Sequence, residues 1–259
     1  MSFVSNGSKP VHPRLSPVEQ SALLGRVLEQ CAHIPGQEPA PVVVFDLDGT
    51  LMDNRPRTCA ILRELGELWS TREAELAEFA SAVRNANPSS LAYMMTETLG
   101  LLGVTRDDLV LEAQEYWRAR FFADEHLVHD IALAGAVTFA KDCYDAGATL
   151  VYLTGRDLPL MGLGTFRSLR DLGFPIGVAG TQVVLKPEFS MPDEAFKRDV
   201  APTLLRVGRV IASFDNEPGN CNVFKEAYPD CESVLVDTQH MPHAPPLGPG
   251  VRVIADFVR

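Results

Sequence analysis

The feature that most constrains the fold is an unbroken apolar run, residues 42–45 (VVVF), which ends directly in two acids, Asp46 and Asp48. A strand with one face in water alternates apolar and polar residues, and this run has no alternation. Both of its faces must therefore be buried, as in a parallel sheet covered by helices. The two acids lie where this strand should reach the surface, and Gly49 and Thr50 follow at once.

Beyond residue 131 the chain alternates between β-rich apolar runs and segments with helical periodicity. The predicted strands are residues 42–45, 148–154, 182–186, 209–214 and 233–238. The predicted helices that separate them are residues 131–147, 159–173, 193–206 and 217–228. This order predicts an α/β fold, a Rossmann-like, doubly wound and mainly parallel sheet with helices on both faces.

A long helical block interrupts this pattern, because residues 56–123 show helical periodicity and no strand signal. We therefore predict an all-helical insertion over residues 55–130, in which Thr105 and Asp108 fit a capping box. The core then comprises residues 16–54 and 131–259. It opens with a helix whose N-cap is Ser16, with Pro17 and Glu19 at its first and third positions. Residues 1–15 are polar and predicted to be disordered.

Charge and composition restrict the class of partner. The net charge of −11 disfavours a polyanionic partner such as nucleic acid. No stretch of about 18 apolar residues is present, so we expect no membrane span. The N-terminal residues have no apolar signal core, and the 5 cysteines include no CxxC pair, so a reducing, cytoplasmic setting is expected. The sequence carries no indication of oligomeric state.

Polar residues follow four of the predicted strands. They are Asp46 and Asp48, then Thr154, Gly155 and Arg156, then Lys186 with Lys197 beyond it, and finally Asp215, Asn216 and Glu217. In open α/β sheets, ligands bind at the carboxyl ends of the strands. Three carboxylates at one edge repel one another unless a cation neutralises them, and hard oxygen ligands partly open to water suit Mg²⁺ better than zinc.

The segments "DLDGT", "LTGR", a downstream lysine and "FDNEPGN" resemble the four motifs of the haloacid dehalogenase-like hydrolase superfamily, in the right order over residues 42 to about 240. The helical insertion between the first two motifs resembles that superfamily's cap domain. The resemblance implies a phosphatase-type enzyme that uses Mg²⁺ and forms an aspartyl-phosphate intermediate.

The first two motifs suggest roles for their side chains. A carboxylate fixed at a strand end, Asp46, suits a nucleophile that attacks phosphorus. Asp48 is placed to protonate the leaving oxygen and later to activate water, with its backbone carbonyl on the metal. Main-chain N–H groups of the turn at Gly49 would cradle the phosphoryl group. Thr154, with the N–H of Gly155, resembles the hydroxyl of the second motif, and whether Arg156 touches substrate stays open.

Two lysines compete for the third motif. Lys197, in "DEAFK", is favoured because D-x-x-F-K after a strand is similar to the third motif of polynucleotide-end phosphatases, and Lys186, which ends a strand, is the alternative. In the fourth motif Asp215 is expected to bind the metal directly. Asn216 replaces the second Asp of the commoner forms. Glu217 and Asn220 lie within reach as water-mediated ligands. The implied metal set is Asp46, Asp48, Asp215 and Asn216.

These residues favour a phosphohydrolase acting on a small phosphorylated metabolite. Asp48 counts against carbon–halogen hydrolysis, which does not need an acid two residues after the nucleophile. Phosphoryl transfer between substrates, a nucleic-acid-end phosphatase and a catalytically retired binding module remain as alternatives. Substrate specificity is expected to reside in the helical insertion, with Asn54, Arg55 and Arg57 as candidate rim contacts.

Overall fold

The computed structural model describes residues 12–32 and 39–259, and within them the chain forms two compact units. One unit is Asn54–Ile131. The other combines the described residues of Pro10–Asp53 with Ala132–Arg259. Most of the tail predicted to be disordered, residues 1–11, lies outside the described residues.

The larger unit is built on a parallel sheet, which confirms the predicted α/β class. Over the described residues the sheet has 6 strands in the order β5-β4-β1-β6-β7-β8, and each neighbouring pair is parallel. The strands are β1 (Pro41–Phe45), β4 (Thr149–Asp157), β5 (Thr181–Lys186), β6 (Arg209–Asp215), β7 (Glu232–Val236) and β8 (Arg252–Ile254). Two short strands, β2 (Met52–Asp53) and β3 (Ile131–Ala132), form a second sheet where the chain passes between the units.

The apolar run that begins this sheet is buried on both faces, as predicted. Val43 and Phe45 pack into an apolar cluster on one face, whereas Val42 and Val44 belong to a second cluster on the other. In the first cluster the Phe45 ring stacks on that of Phe214, with ring centroids 5.2 Å apart. Because alternate residues of a strand point to opposite faces, an unbroken apolar sequence is what such a central strand requires.

Helices cover both faces of the sheet in the larger unit. They are α1 (Pro17–Cys31), α6 (Ala136–Asp145), α7 (Leu158–Leu172), α8 (Asp193–Val200) and α9 (Pro218–Ala227). The capping box predicted for α1 is confirmed, since the Ser16 hydroxyl accepts from Glu19 N–H and the Glu19 carboxylate accepts from Ser16 N–H.

Two predicted helices are too long. Residues 131–135 are not helical, because Gly135 has a φ of +75° and sits against the backbone of Phe257, so α6 begins only at Ala136. The predicted helix over 193–206 is α-helical to Val200 and continues as a 3₁₀ helix, Ala201–Arg206. Pro202 has no N–H to donate, which ends the α pattern there.

The smaller unit is helical throughout its interior. Its helices are α2 (Arg55–Ser70), α3 (Ala77–Arg84), α4 (Met95–Leu101) and α5 (Asp107–Phe121), joined by short 3₁₀ turns. Its own apolar cluster centres on Trp69, Leu65 and Leu99. The capping box predicted at Thr105 is wrong, because α5 begins after Arg106 and has no side-chain cap. No helix in the described residues is both long and apolar enough to cross a membrane.

Candidate active site

Three neighbouring strands bring the predicted site residues to one edge of the sheet. In the order β4-β1-β6, the central strand β1 ends just before Asp46, and β6 ends at Asp215. The Asp46 N–H donates to the carbonyl of Phe214, at an N–O distance of 3.0 Å, which fixes the first acid against the end of β6.

A lysine lies between these two acids. Lys197 Nζ is 2.7 Å from Asp46 Oδ1 and 2.7 Å from Asp215 Oδ2. All three side chains are buried, with exposures of 2% for Lys197, 6% for Asp46 and 4% for Asp215. Two carboxylates and one ammonium leave this buried cluster with a net negative charge, which favours a further cation.

The burial of this cluster changes how its groups hold protons. Burial raises the pKa of Asp46 to about 7, Lys197 opposes that rise, and Asp215 adds to it. Burial alone would lower the pKa of Lys197, but the two carboxylates raise it well above its ordinary value. The two carboxylates thus favour the charged form of Lys197, whereas burial disfavours the anionic form of Asp46 unless further positive charge is near it.

The turn after β1 packs tightly against the fourth motif. Gly49 has a φ of +77°, and a Cβ at this position would overlap the side-chain amide of Asn216. Only glycine satisfies both the backbone conformation and this close approach. The Thr50 hydroxyl donates to Asp46 Oδ2 at 2.9 Å, so both oxygens of the first acid have a partner. This contact of the Thr50 side chain was not anticipated, although the residue belongs to the "DLDGT" motif.

The second acid has a different partner. Arg156 Nε donates to Asp48 Oδ2 at 2.7 Å and its Nη2 donates to Oδ1 at 2.9 Å, a two-point ion pair. Arg156 is 2% exposed, and its Nη1 also lies 3.4 Å from the Thr165 hydroxyl. The carboxylate of Asp48 is thus oriented by the residue that follows "TG" in the second motif.

The second motif also brings Thr154 and Gly155 to this edge. Thr154 is buried, and its hydroxyl accepts from the N–H of Arg156 at 3.2 Å. A Cβ at Gly155 would overlap the carboxylate of Asp193, so the absence of a side chain there leaves room for a neighbouring acid. Asp193 is the first residue of the "DEAFK" segment, but the sequence analysis gave its side chain no role.

The two competing lysines occupy different places. Lys197 contacts Asp46 and Asp215, whereas Lys186 Nζ contacts Asp193 Oδ1 at 2.7 Å and the carbonyls of Phe189 and Met191. Of the two candidate lysines, Lys197 is therefore the one that contacts the acids of the first and fourth motifs.

The fourth motif holds Asp215 and Asn216 in fixed orientations. Asp215 Oδ1 accepts from Glu217 N–H at 2.9 Å and from Asn220 Nδ2 at 3.1 Å. Asn216 Nδ2 donates to the carbonyl of Gln239 at 2.6 Å, so its Oδ1 faces the Thr50 hydroxyl, 3.4 Å away. Glu217 instead accepts from the N–H of Met241, which turns its carboxylate toward the loop after β7.

That loop borders the site, which the sequence did not indicate. Besides the Gln239 and Met241 contacts, the Thr238 hydroxyl donates to the Gly49 carbonyl at 2.5 Å. The segment that continues from it, residues 240–250 (HMPHAPPLGPG), is rich in proline and by itself predicts only a surface loop, because partners so distant in sequence leave no local signal. His240 and His243, which have ligand-like spacing, are not grouped into a metal site in the part of the chain that the structure describes.

The donors at this edge fit Mg²⁺ better than a softer metal. Asp46, Asp215 and the Asn216 carbonyl are hard oxygen ligands, and the Asn216 nitrogen is already occupied by Gln239. Within residues 12–32 and 39–259, no three His, Cys, Asp or Glu side chains are grouped to hold a metal. Mg²⁺ also binds amide and main-chain carbonyl oxygens, which do not belong to these four types of side chain. The carboxylate of Asp48 points toward Arg156.

Two further residues that the sequence brings into question, Arg57 and Cys221, are both buried. Arg57 is fully buried, with two nitrogens on the Asp130 carboxylate at 2.8 and 2.6 Å and a third on the Phe121 carbonyl. A fully buried side chain does not fit the rim contact for which Arg57 was a candidate. Asn54 and Arg55 lie at the start of α2. Burial raises the pKa of Cys221 well above its ordinary value, so this thiol behaves as a small core residue.

Comparison with known proteins identifies solved structures of the same fold. No protein-family model and no curated protein sequence matches the chain. A subfamily IA hydrolase of the haloacid dehalogenase superfamily from Geobacter sulfurreducens superposes with a TM-score of 0.50 at 16% identity, over 82% of this chain and 96% of that chain. A Clostridium difficile protein described as a candidate phosphatase gives a TM-score of 0.50 at 16% identity, over 77% and 87% of the two chains.

Proposed function

From its haloacid dehalogenase-like fold and its buried Asp46–Lys197–Asp215 cluster, we propose that this chain is a Mg²⁺-dependent phosphohydrolase that acts on a small phosphorylated metabolite. The observation that carries the proposal is the position of Lys197 between the buried carboxylates of Asp46 and Asp215, which lie at the ends of two neighbouring strands. An ammonium in that position offsets the charge of the nucleophile and of an incoming phosphate.

The first step is attack by Asp46 on the phosphorus of a phosphomonoester. A bond forms between a carboxylate oxygen and phosphorus, the bond from phosphorus to the leaving alcohol breaks, and an aspartyl phosphate results. Lys197, Thr154 and the N–H of Gly155 are the groups proposed to hold the phosphoryl oxygens.

Asp48 is the proposed acid and base of the reaction. It gives a proton to the leaving oxygen in the first step. In the second step it takes a proton from the water that attacks phosphorus, which releases inorganic phosphate and regenerates Asp46. Its two-point contact with Arg156 fixes the direction in which the carboxylate points.

The metal is proposed to be held by Asp46, Asp215 and Asn216, with the backbone carbonyl of Asp48. Bound Mg²⁺ would offset the repulsion between a carboxylate and a dianionic phosphate, which Lys197 alone does not cancel. Asn220 and the N–H of Glu217 hold Asp215 in place for this role.

The test compares wild type with Asp46→Asn on p-nitrophenyl phosphate in the presence of Mg²⁺. We expect kcat to fall by about 10³-fold or more, because the amide cannot act as the nucleophile. Asp171→Asn, a surface acid in α7, is the matched control and should keep wild-type activity.

Two outcomes would contradict the proposal: undiminished activity of Asp46→Asn, or a wild type that is inert with every divalent cation tried. Equal release of inorganic phosphate and alcohol separates hydrolysis from phosphoryl transfer to another substrate. A panel of phosphorylated metabolites then identifies the substrate.

A further inference from the structure

A second buried lysine, Lys186, lies at the end of the edge strand β5 and takes no part in the mechanism above. It is 6% exposed, and its Nζ has three oxygen contacts in the segment that follows. These are the carbonyl of Phe189 at 3.3 Å, the carbonyl of Met191 at 2.9 Å and Asp193 Oδ1 at 2.7 Å. The ammonium thus closes the turn between β5 and α8.

The carboxylate held by Lys186 lies next to the second motif. Asp193 Oδ2 occupies the space where a side chain of Gly155 would begin. The Gly155 N–H is one of the groups proposed to bind the phosphoryl oxygens. A negative charge therefore stands beside the proposed phosphate site, where it would repel a dianion.

Lys186 is the cation that pairs with this charge. Its Nζ is 2.7 Å from one oxygen of Asp193 while the other oxygen faces Gly155. Asp193 itself is more than half exposed, with a side-chain exposure of 57%, so it accepts substitution without disturbing the core. The pair is neutral as it stands, and removal of either side chain alone leaves a net charge beside Gly155.

We propose that Lys186 is a positioning residue for phosphate binding: it fixes Asp193 beside Gly155 and cancels its charge, so that a phosphate dianion can enter. The inference rests on the proposed function. It gives the two lysines separate tasks, with Lys197 at the nucleophile and Lys186 at the neighbouring carboxylate.

The test follows the net charge of the pair through a double-mutant cycle. Binding of inorganic phosphate to the Mg²⁺-loaded full chain is measured by calorimetry, with no turnover required. Lys186→Met leaves a charge of −1 and should weaken phosphate binding by about tenfold. Asp193→Asn leaves a charge of +1 and should tighten binding by about threefold.

The double variant Lys186→Met/Asp193→Asn restores a neutral pair, and its Kd should return to within about twofold of wild type. A purely structural role for Lys186 does not predict this rescue. Lys141→Met, an exposed lysine on α6, is the control for loss of a lysine and should leave the Kd unchanged. Circular dichroism establishes that each variant is folded.

The role of Lys186 is overturned if the Kd does not follow the charge of the pair, for instance if Asp193→Asn weakens binding or fails to rescue Lys186→Met. Should Lys186→Met not fold, the sign of the Asp193→Asn effect alone decides. A wild type that hydrolyses phosphomonoesters while all variants share its Kd refutes only the Lys186 proposal. A wild type that neither binds phosphate nor hydrolyses any phosphomonoester refutes the proposed function as well.

Discussion

At the scale of single residues, Lys197 determines whether the buried acids of the site are tolerated. It contacts both Asp46 and Asp215 at 2.7 Å, and all three side chains are nearly inaccessible to water. Removal of one partner from such a cluster leaves uncompensated buried charge, which is more damaging than the loss of a surface ion pair.

We therefore predict that Lys197→Met lowers the free energy of unfolding of the metal-free protein by about 3 to 5 kcal/mol. Urea unfolding followed by fluorescence measures this change. Lys141→Met, which removes an exposed lysine, should change it by less than about 0.5 kcal/mol. Equal effects of the two substitutions would mean that Lys197 does not neutralise the buried acids.

Arg156 offers a second test at this scale, because it holds Asp48 through both carboxylate oxygens. If this contact aims the acid at the leaving oxygen, Arg156→Gln should lower kcat/KM for an alkyl phosphate by about 100-fold. For p-nitrophenyl phosphate the loss should stay under about tenfold, because nitrophenolate leaves without a proton. Arg170→Gln, on the surface of α7, is the control. A uniform loss on both substrates would contradict an orienting role toward Asp48.

At the scale of elements, the turn after β1 is the most constrained backbone at the site. Gly49 combines a φ of +77° with close contacts to Asn216 and Thr238, whereas a Cβ added at Gly25 in α1 would meet no neighbouring group within 4 Å. These two glycines therefore provide opposite expectations for the same substitution.

Gly49→Ala should destabilise the protein by about 2 kcal/mol or more, since alanine is strained at positive φ and has no room there. Gly25→Ala should stabilise it by about 0.5 to 1 kcal/mol, because alanine favours the helix interior. Chemical unfolding of both variants measures the contrast. A Gly49→Ala protein as stable as wild type would show that the turn relaxes away from the fourth motif.

The elements also show what the sequence could predict. The five strands predicted from apolar runs are all present. For the central strand β1, burial on both faces explains the unbroken apolar run in the sequence. Strands β2, β3 and β8 were missed, since two or three residues are too few to show a pattern. The overlong helix over 193–206 reflects periodicity that continues past Pro202, although the backbone changes to a 3₁₀ helix there.

The site, like the fold, could be predicted only where a local sequence pattern marks its residues. Asp46 and Asp215 lie at the ends of neighbouring parallel strands, so their convergence could be expected, and Lys197 on α8 belongs to the "DEAFK" segment. The Lys186–Asp193 pair beside Gly155 and the Gln239 contact of Asn216 could not be expected. Such contacts depend on side-chain direction and on loop paths that no short segment of sequence encodes.

At the scale of the whole molecule, the helical unit is closed by an ion pair between its two ends. Arg57 lies near the start of α2 and Asp130 near the end of the unit, and both side chains are fully buried. The guanidinium also lies 4.4 Å from the centre of the Phe121 ring. The unit therefore has its own internal connection between residues that are 73 positions apart.

We predict that Arg57→Met loosens the helical unit without loosening the sheet. Amide hydrogen exchange should become about 100-fold faster in α2 and α5, while β1 and β6 keep their protection. Arg63→Met, an exposed arginine of the same helix, should leave the exchange of both units unchanged. Faster exchange throughout the chain would show that the two units unfold together.

The pairing of Arg57 with Asp130 has a consequence for how such a chain can change over evolution. A segment whose two ends are joined by a contact of its own can be exchanged for another of similar closure, while the flanking backbone keeps its course. The helical unit can in this sense be replaced by a different segment without a change in the rest of the chain. The residues proposed as nucleophile, acid and metal ligands all belong to the other unit, so such an exchange leaves them unaltered.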